Sequence, residues 1–115
     1  MKIGRESLDS VDFEGLHILD YTAGQGTRSS MAEITVPPGA QHRKAWSKRS
    51  DKYYYGISGK VEFVVDGKAF DLAAGDVCIV SKGQRFSYEN RDKETARLLL
   101  VHTPSFDLDS EVFEG

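Results

Sequence analysis

Apolar residues in this chain come in short runs separated by glycine, proline, aspartate and asparagine. Val, Ile, Leu, Tyr and Phe concentrate at 16–20, 31–36, 52–57, 60–65, 68–72, 77–80, 85–90 and 96–102. Runs this short, bounded by turn residues, predict β-strands. No window sustains the three-and-four spacing of an amphipathic helix. The breaks between runs have specific chemistry. Asp66-Gly67, between VEFVV and KAFDL, predicts a two-residue hairpin, because a type I′ turn needs positive φ at both central residues. Pro37-Pro38-Gly39 ends a strand, since proline has no N–H for the ladder. Ala74-Gly75-Asp76 reads as a turn between two strands. The pattern predicts an all-β domain, either a sandwich or a closed barrel, with no helical crossover. The first fifteen residues and the last ten carry the weakest pattern.

Composition narrows the class. At 115 residues the chain is sized for a single domain whose core needs no disulfide or structural metal. One cysteine, Cys78, excludes an internal disulfide and a Cys-rich zinc site, and predicts a reducing, cytoplasmic setting. In an apolar strand its thiol is expected to be buried and inert. No apolar run approaches the ~20 residues of a membrane helix, and MKIGRESLDS lacks the apolar centre of a secretory signal. No membrane partner is expected. The net charge of −3 argues against a nucleic-acid partner.

That charge is unevenly spread. HRKAWSKRSDK, residues 42–52, sets five Lys or Arg against Asp51, a net +4, which leaves −7 for everything else. The tail SFDLDSEVFEG is acidic. It either folds back onto the basic window or ends as a solvated segment.

Glycine spacing gives a sharper signal. Gly39 is followed at fixed intervals by Ala45, Ser47, Lys52 and Gly59, and Gly75 by Ser81, Gly83, Phe86 and Asn90. These intervals match G-x5-H-x-H-x4-E-x6-G and G-x5-P-x-G-x2-H-x3-N, and the chain therefore resembles the cupin superfamily. The resemblance covers residues 31–107. It implies a cupin-type jelly-roll β-barrel with an internal pocket. Residues 1–30 would be an N-terminal strand and lead-in of the same domain, and 108–115 an acidic tail. In metal-binding cupins the three His and one Glu of these motifs hold the metal. Here the same four positions are Ala45, Ser47, Lys52 and Phe86. Ala and Phe offer no lone pair, Ser is a poor ligand, and an ammonium repels a cation. The expectation is a cupin with no metal and no other cofactor. Of the remaining histidines His17, His42 and His102, His42 lies three residues ahead of the first ligand position. It is expected on a loop or rim, too early to replace that ligand unless the strand shifts.

Strand alternation then sketches the pocket. If residue 52 faces inward, as the matching family Glu does, Tyr54 joins it, and Tyr53 and Tyr55 face outward. Phe86, Tyr88 and Asn90 share one face, and Ala45 and Ser47 share one with Arg43. The expected ligand-binding set is Arg43, Ser47, Lys52, Tyr54, Phe86, Tyr88 and Asn90, with Trp46 on a turn and Lys48 and Arg85 near the rim. A lysine buried without a partner is disfavoured as an ammonium. Lys52 therefore meets a bound anion, becomes a neutral amine with base or Schiff-base capacity, or snorkels to water. For Phe86, filling the emptied metal cavity is favoured over forming a substrate wall.

Three functions compete. The favoured one is non-catalytic binding of a small anionic or aromatic metabolite. The second is a metal-independent enzyme, an isomerase, epimerase or related acid–base catalyst on a sugar or keto acid, with Lys52, Tyr54, Tyr88 and His42 as candidate catalytic residues. No dyad is visible from spacing. The third is a structural module; the resemblance implies a homodimer, in which basic window and acidic tail would meet across the subunit boundary.

Overall fold

The computed structural model describes residues 1–114, which form two antiparallel sheets facing one another. Strands are β1 (Val11–Phe13), β2 (Leu16–Asp20), β3 (Ser30–Val36), β4 (Gln41–Ser47), β5 (Asp51–Ser58), β6 (Lys60–Val65), β7 (Lys68–Ala73), β8 (Val77–Val80), β9 (Phe86–Glu89), β10 (Ala96–Thr103) and β11 (Glu111–Phe113). One sheet runs β1-β2-β3-β10-β5-β8, the other β11-β4-β9-β6-β7. All eight expected strands are present. Three more, β1, β4 and β11, are additions.

β4 covers much of the basic window. Its apolar alternation is masked because Gln41, Arg43 and Lys44 are exposed and only Ala45 and Ser47 are buried. Trp46 lies within this strand and not on a turn. The acidic tail does fold back: β11 pairs with β4, setting Glu111 opposite Ser47 and Phe113 opposite Ala45.

Local chemistry explains the corners. Asp66 and Gly67 have φ of 47° and 82°, the positive pair a type I′ hairpin requires. β5 passes so close to β7 that a Cβ on Gly56 would sit 2.2 Å from the Ala73 carbonyl oxygen, so only glycine fits.

The interior follows strand alternation. On β10, Ala96, Leu98, Leu100 and His102 point inward; on β9, Phe86 and Tyr88 do so. Tyr54, Phe63, Phe86 and Tyr88 pack ring on ring, with centroids 4.8 to 5.9 Å apart. Each such pair contributes about 0.5–1.5 kcal/mol beyond its buried area. Tyr53 and Tyr55 face outward as expected, at 38% and 43% exposure.

Candidate functional site

A cavity of about 260 Å³ opens between the sheets. β1 contributes Val11 and Phe13 to its lining, β5 Lys52 and Tyr54, β9 Tyr88 and β10 Leu100 and His102. The C-terminal segment adds Phe106, Leu108, Glu111 and Phe113. Four expected residues converge here: His42, Lys52, Tyr54 and Tyr88.

The remaining expected residues serve elsewhere. Ser47 Oγ accepts the backbone N–H groups of Arg49 and Ser50, at 3.2 and 2.9 Å, and so ties the β4–β5 turn. Asn90 is fully buried. Its Nδ2 donates to the Val36 and Glu94 carbonyls and its Oδ1 accepts from the Asp92 N–H. Both residues are consumed in holding backbone. Phe86 sits beneath the cavity in the aromatic core, 1% exposed, as a filler.

Arg43 and His42 exchange the places expected of them. β4 pairs His42 with Tyr88 but Ala45 with Phe86, so the register slips by one between them. A bulge resets alternation. His42 therefore joins the inner face that Ala45 and Ser47 occupy. Arg43 turns outward, meets Glu14 at 3.2 Å and lies over the Phe113 ring at 4.7 Å.

His42 sits in an aromatic box. Its ring lies 5.0 Å from Phe86, 5.3 Å from Tyr88, 5.7 Å from Phe13 and 6.1 Å from Phe113. Nδ1 is 2.7 Å from the Arg43 carbonyl oxygen. A carbonyl can only accept, so Nδ1–H donates and Nε2 keeps a bare lone pair. Burial disfavours the imidazolium and pulls the pKa down to about 4, with the nearby Lys52 charge adding to the effect. Beside it, the Tyr88 hydroxyl is buried without a hydrogen-bond partner among the described residues. Burial pushes the phenols of Tyr88 and Tyr54 above their ordinary range, so both remain protonated donors.

A second polar cluster bridges the sheets, with Lys52 and His102 on β5 and β10 and Glu111 on β11 beside β4. Lys52 Nζ donates to Glu111 Oε1 at 2.5 Å and to His102 Nε2 at 2.9 Å. The Lys52 and Glu111 side chains are 4% and 5% exposed. Burial lowers the Lys52 pKa, and Glu111 works against that. His102 is held down to about 3 by burial and then by the Lys52 charge, so it accepts from Lys52 as a neutral ring. The partner that Lys52 needed is thus a carboxylate of the same chain. Sequence reasoning assigned no role to His102 or Glu111. Alternation from Leu98 and Leu100 points to His102; for Glu111 the one signal is the acidity of the tail.

The cupin domain family matches residues 32–102. The chain belongs to this family. A curated relative, the tetracenomycin polyketide synthase protein TcmJ of Streptomyces glaucescens, is 31% identical over 78 residues, 68% of this chain and 52% of that one. The cupin thus spans about half the length of that relative. An oxalate-binding protein of Thermotoga maritima is 28% identical over 90 residues, 78% of this chain and 74% of that one. Among solved structures, the nucleoside dehydratase Pac13 superposes with a TM-score of 0.87 at 22% identity, over 99% of this chain and 90% of that one. Streptomyces Pac13 has been solved with uridine as a His-to-Gln variant and as two different Tyr-to-Phe variants. KdgF from Halomonas sp. superposes with a TM-score of 0.81 at 17% identity, over 91% of this chain and 94% of that one. These structural likenesses establish the cupin barrel.

The residues at the family's metal-ligand positions do not fit a divalent cation. Ala45 and Phe86 carry no donor atom, and the Ser47 oxygen is occupied by two backbone N–H groups. Lys52 places an ammonium there, 5.4 Å from the Phe86 ring. His102 Nε2 is taken by that same ammonium. Among the described residues, no three His, Cys, Asp or Glu side chains converge as a metal site.

Proposed function

We propose that this cupin is a metal-independent acid–base enzyme acting on a small, ring-bearing, hydroxylated substrate of nucleoside size, with His42 moving the proton. The observation that carries the reading is the pair of unspent groups on one wall: a neutral imidazole with a free Nε2, and a buried Tyr88 hydroxyl without a partner. An unsatisfied buried hydroxyl is costly, and beside a half-buried imidazole with a free Nε2 it makes a place for a ligand to complete.

The reaction class that suits them is loss of water. His42 Nε2 takes a proton from a carbon acidified by a neighbouring carbonyl. Negative charge develops on that carbonyl oxygen, and Tyr88 is the proposed donor to it. The hydroxyl on the adjacent carbon then leaves with the proton His42 holds, and departs as water. Hydrogen and hydroxide are lost together, and nothing is oxidised or reduced. An imidazolium held down to a pKa of about 4 gives its proton up readily. Returning the proton to a different atom would instead give isomerisation. The fold shared with a nucleoside dehydratase supports the dehydration form.

Incubation in D₂O with uridine and related nucleosides, keto-sugars and small keto acids tests this, using protein purified without a His tag. NMR reads deuterium uptake and mass spectrometry reads loss of water. Exchange or water loss that disappears in His42→Gln is the expected result. Absence of both across the panel, with binding retained, returns the protein to the binding reading. Stoichiometric Fe, Mn, Ni or Zn whose removal abolishes turnover contradicts metal independence.

A further inference from the structure

The ion pair that Lys52 and Glu111 make across the two sheets bears on which ligands the cavity admits. An ammonium has three N–H donors. Lys52 directs one to Glu111 and one to His102, which leaves one. The charged side chains lining the cavity are Lys52, Asp20 and Glu111, one positive against two negative. With both histidines neutral, the lining sums to −1. This reverses the impression left by the basic window, because Arg43, Lys44, Lys48 and Arg49 are all exposed and none lines the cavity.

An entering anion would face like charge in an apolar volume, and at the third Lys52 N–H it would sit against the Glu111 carboxylate. An uncharged molecule meets neither barrier, and its carbonyl or hydroxyl oxygen can accept the third N–H. We propose that Glu111, carried in by the C-terminal strand, sets the charge selectivity of this cavity: by holding Lys52 it fits the site to uncharged ring compounds bearing an acceptor oxygen and shuts out carboxylates and phosphates. The proposal deepens the acid–base reading and rests on it for the chemistry, but it is tested by binding alone.

Benzamide and benzoate share a ring and nearly an outline, and differ in charge. Each is titrated into ¹⁵N-labelled protein at about pH 7.5 while the resonances of cavity residues are followed. The wild type is expected to bind benzamide at least ~10-fold more tightly than benzoate. Glu111→Gln leaves the ammonium unpaired and is expected to invert that order. Lys52→Met combined with Glu111→Gln removes both charges together and is expected to keep the benzamide preference; it decides the matter if the single variant does not fold. Benzoate binding the wild type as tightly as benzamide, an unchanged order in Glu111→Gln, a benzoate preference in the double variant, or no cavity response to benzamide overturns the proposal. Failure of turnover in every substrate mixture overturns the acid–base reading instead, while the order of probe affinities still decides the role of Glu111.

Discussion

The two walls of the cavity handle polar groups in opposite ways. On the β5–β10 side, Lys52 and His102 satisfy each other and Glu111, which reaches across from β11 of the facing sheet, and the charge that burial would penalise is cancelled in place. On the β4–β9 side, His42 and Tyr88 are set among aromatic rings with hydrogen-bonding capacity left over. A buried polar group with its partner present stabilises a fold or sets its charge. One without a partner costs stability and is worth retaining for chemistry. On the proposed reading, structure and selectivity belong to the Lys52 cluster, and proton transfer to His42 and Tyr88.

Changing one member of each wall separates these roles. The largest effect is expected from breaking the ion pair. Lys52→Ala or Glu111→Ala strands a buried charge and should cost about 3–5 kcal/mol in urea unfolding. Lys52→Met with Glu111→Leu, which removes both charges, should be nearly neutral. Equal losses in the single and double variants would show that the pair is not acting as a unit. Next comes His42→Gln, expected to lower turnover about 100-fold or more, equivalent to ~3 kcal/mol of barrier, while unfolding free energy changes by less than about 1 kcal/mol. Comparable losses in stability and turnover would make His42 a packing residue.

Acid gives the third effect, and here both walls contribute. His42 and His102 have folded pKa values of about 4 and about 3, below the 6.5 of an unfolded histidine. Below pH 6.5 the unfolded chain takes up protons that the folded chain refuses. The stabilising contribution is therefore complete above 6.5 and is lost as pH falls toward 4 and 3. The slope approaches ~1.4 kcal/mol per pH unit for buried His102 and is smaller for half-buried His42. Urea midpoints at a series of pH values measure it, and a flat profile between 6.5 and 4 contradicts it. The smallest effect is Tyr88→Phe. Deleting an unpartnered hydroxyl should leave stability unchanged or raise it by up to about 1 kcal/mol, while turnover falls about tenfold. A clear loss of stability would mean that the hydroxyl is satisfied in the folded protein.

What the sequence reveals of this arrangement depends on how local the cause is. Eight strands were legible because their alternation and turn residues are written in consecutive positions. With residue 52 set inward by the matching family position, alternation places Tyr54 inside and Tyr53 and Tyr55 outside. β4 was hidden because its outward charges read as a loop. The β4 bulge cannot be inferred from β4 alone, since a bulge is defined by the strand opposite, and missing it exchanged Arg43 with His42. Ser47, at a former ligand position, and Asn90, at its motif position, are both occupied by backbone, a fact of three-dimensional satisfaction that spacing does not carry. Glu111 reaches Lys52 across 59 positions on a three-residue strand. Only the charge imbalance between window and tail hinted at it.

The protonation state of His42 decides most directly whether the β4–β9 wall holds an available base. In ¹⁵N–¹H NMR of labelled protein across pH, the expected result is a neutral ring at pH 7 with the proton on Nδ1 and Nε2 bare, titrating only near pH 4. A ring that carries its proton on Nε2, or that titrates near the ordinary 6.5, would mean that this wall holds no such base.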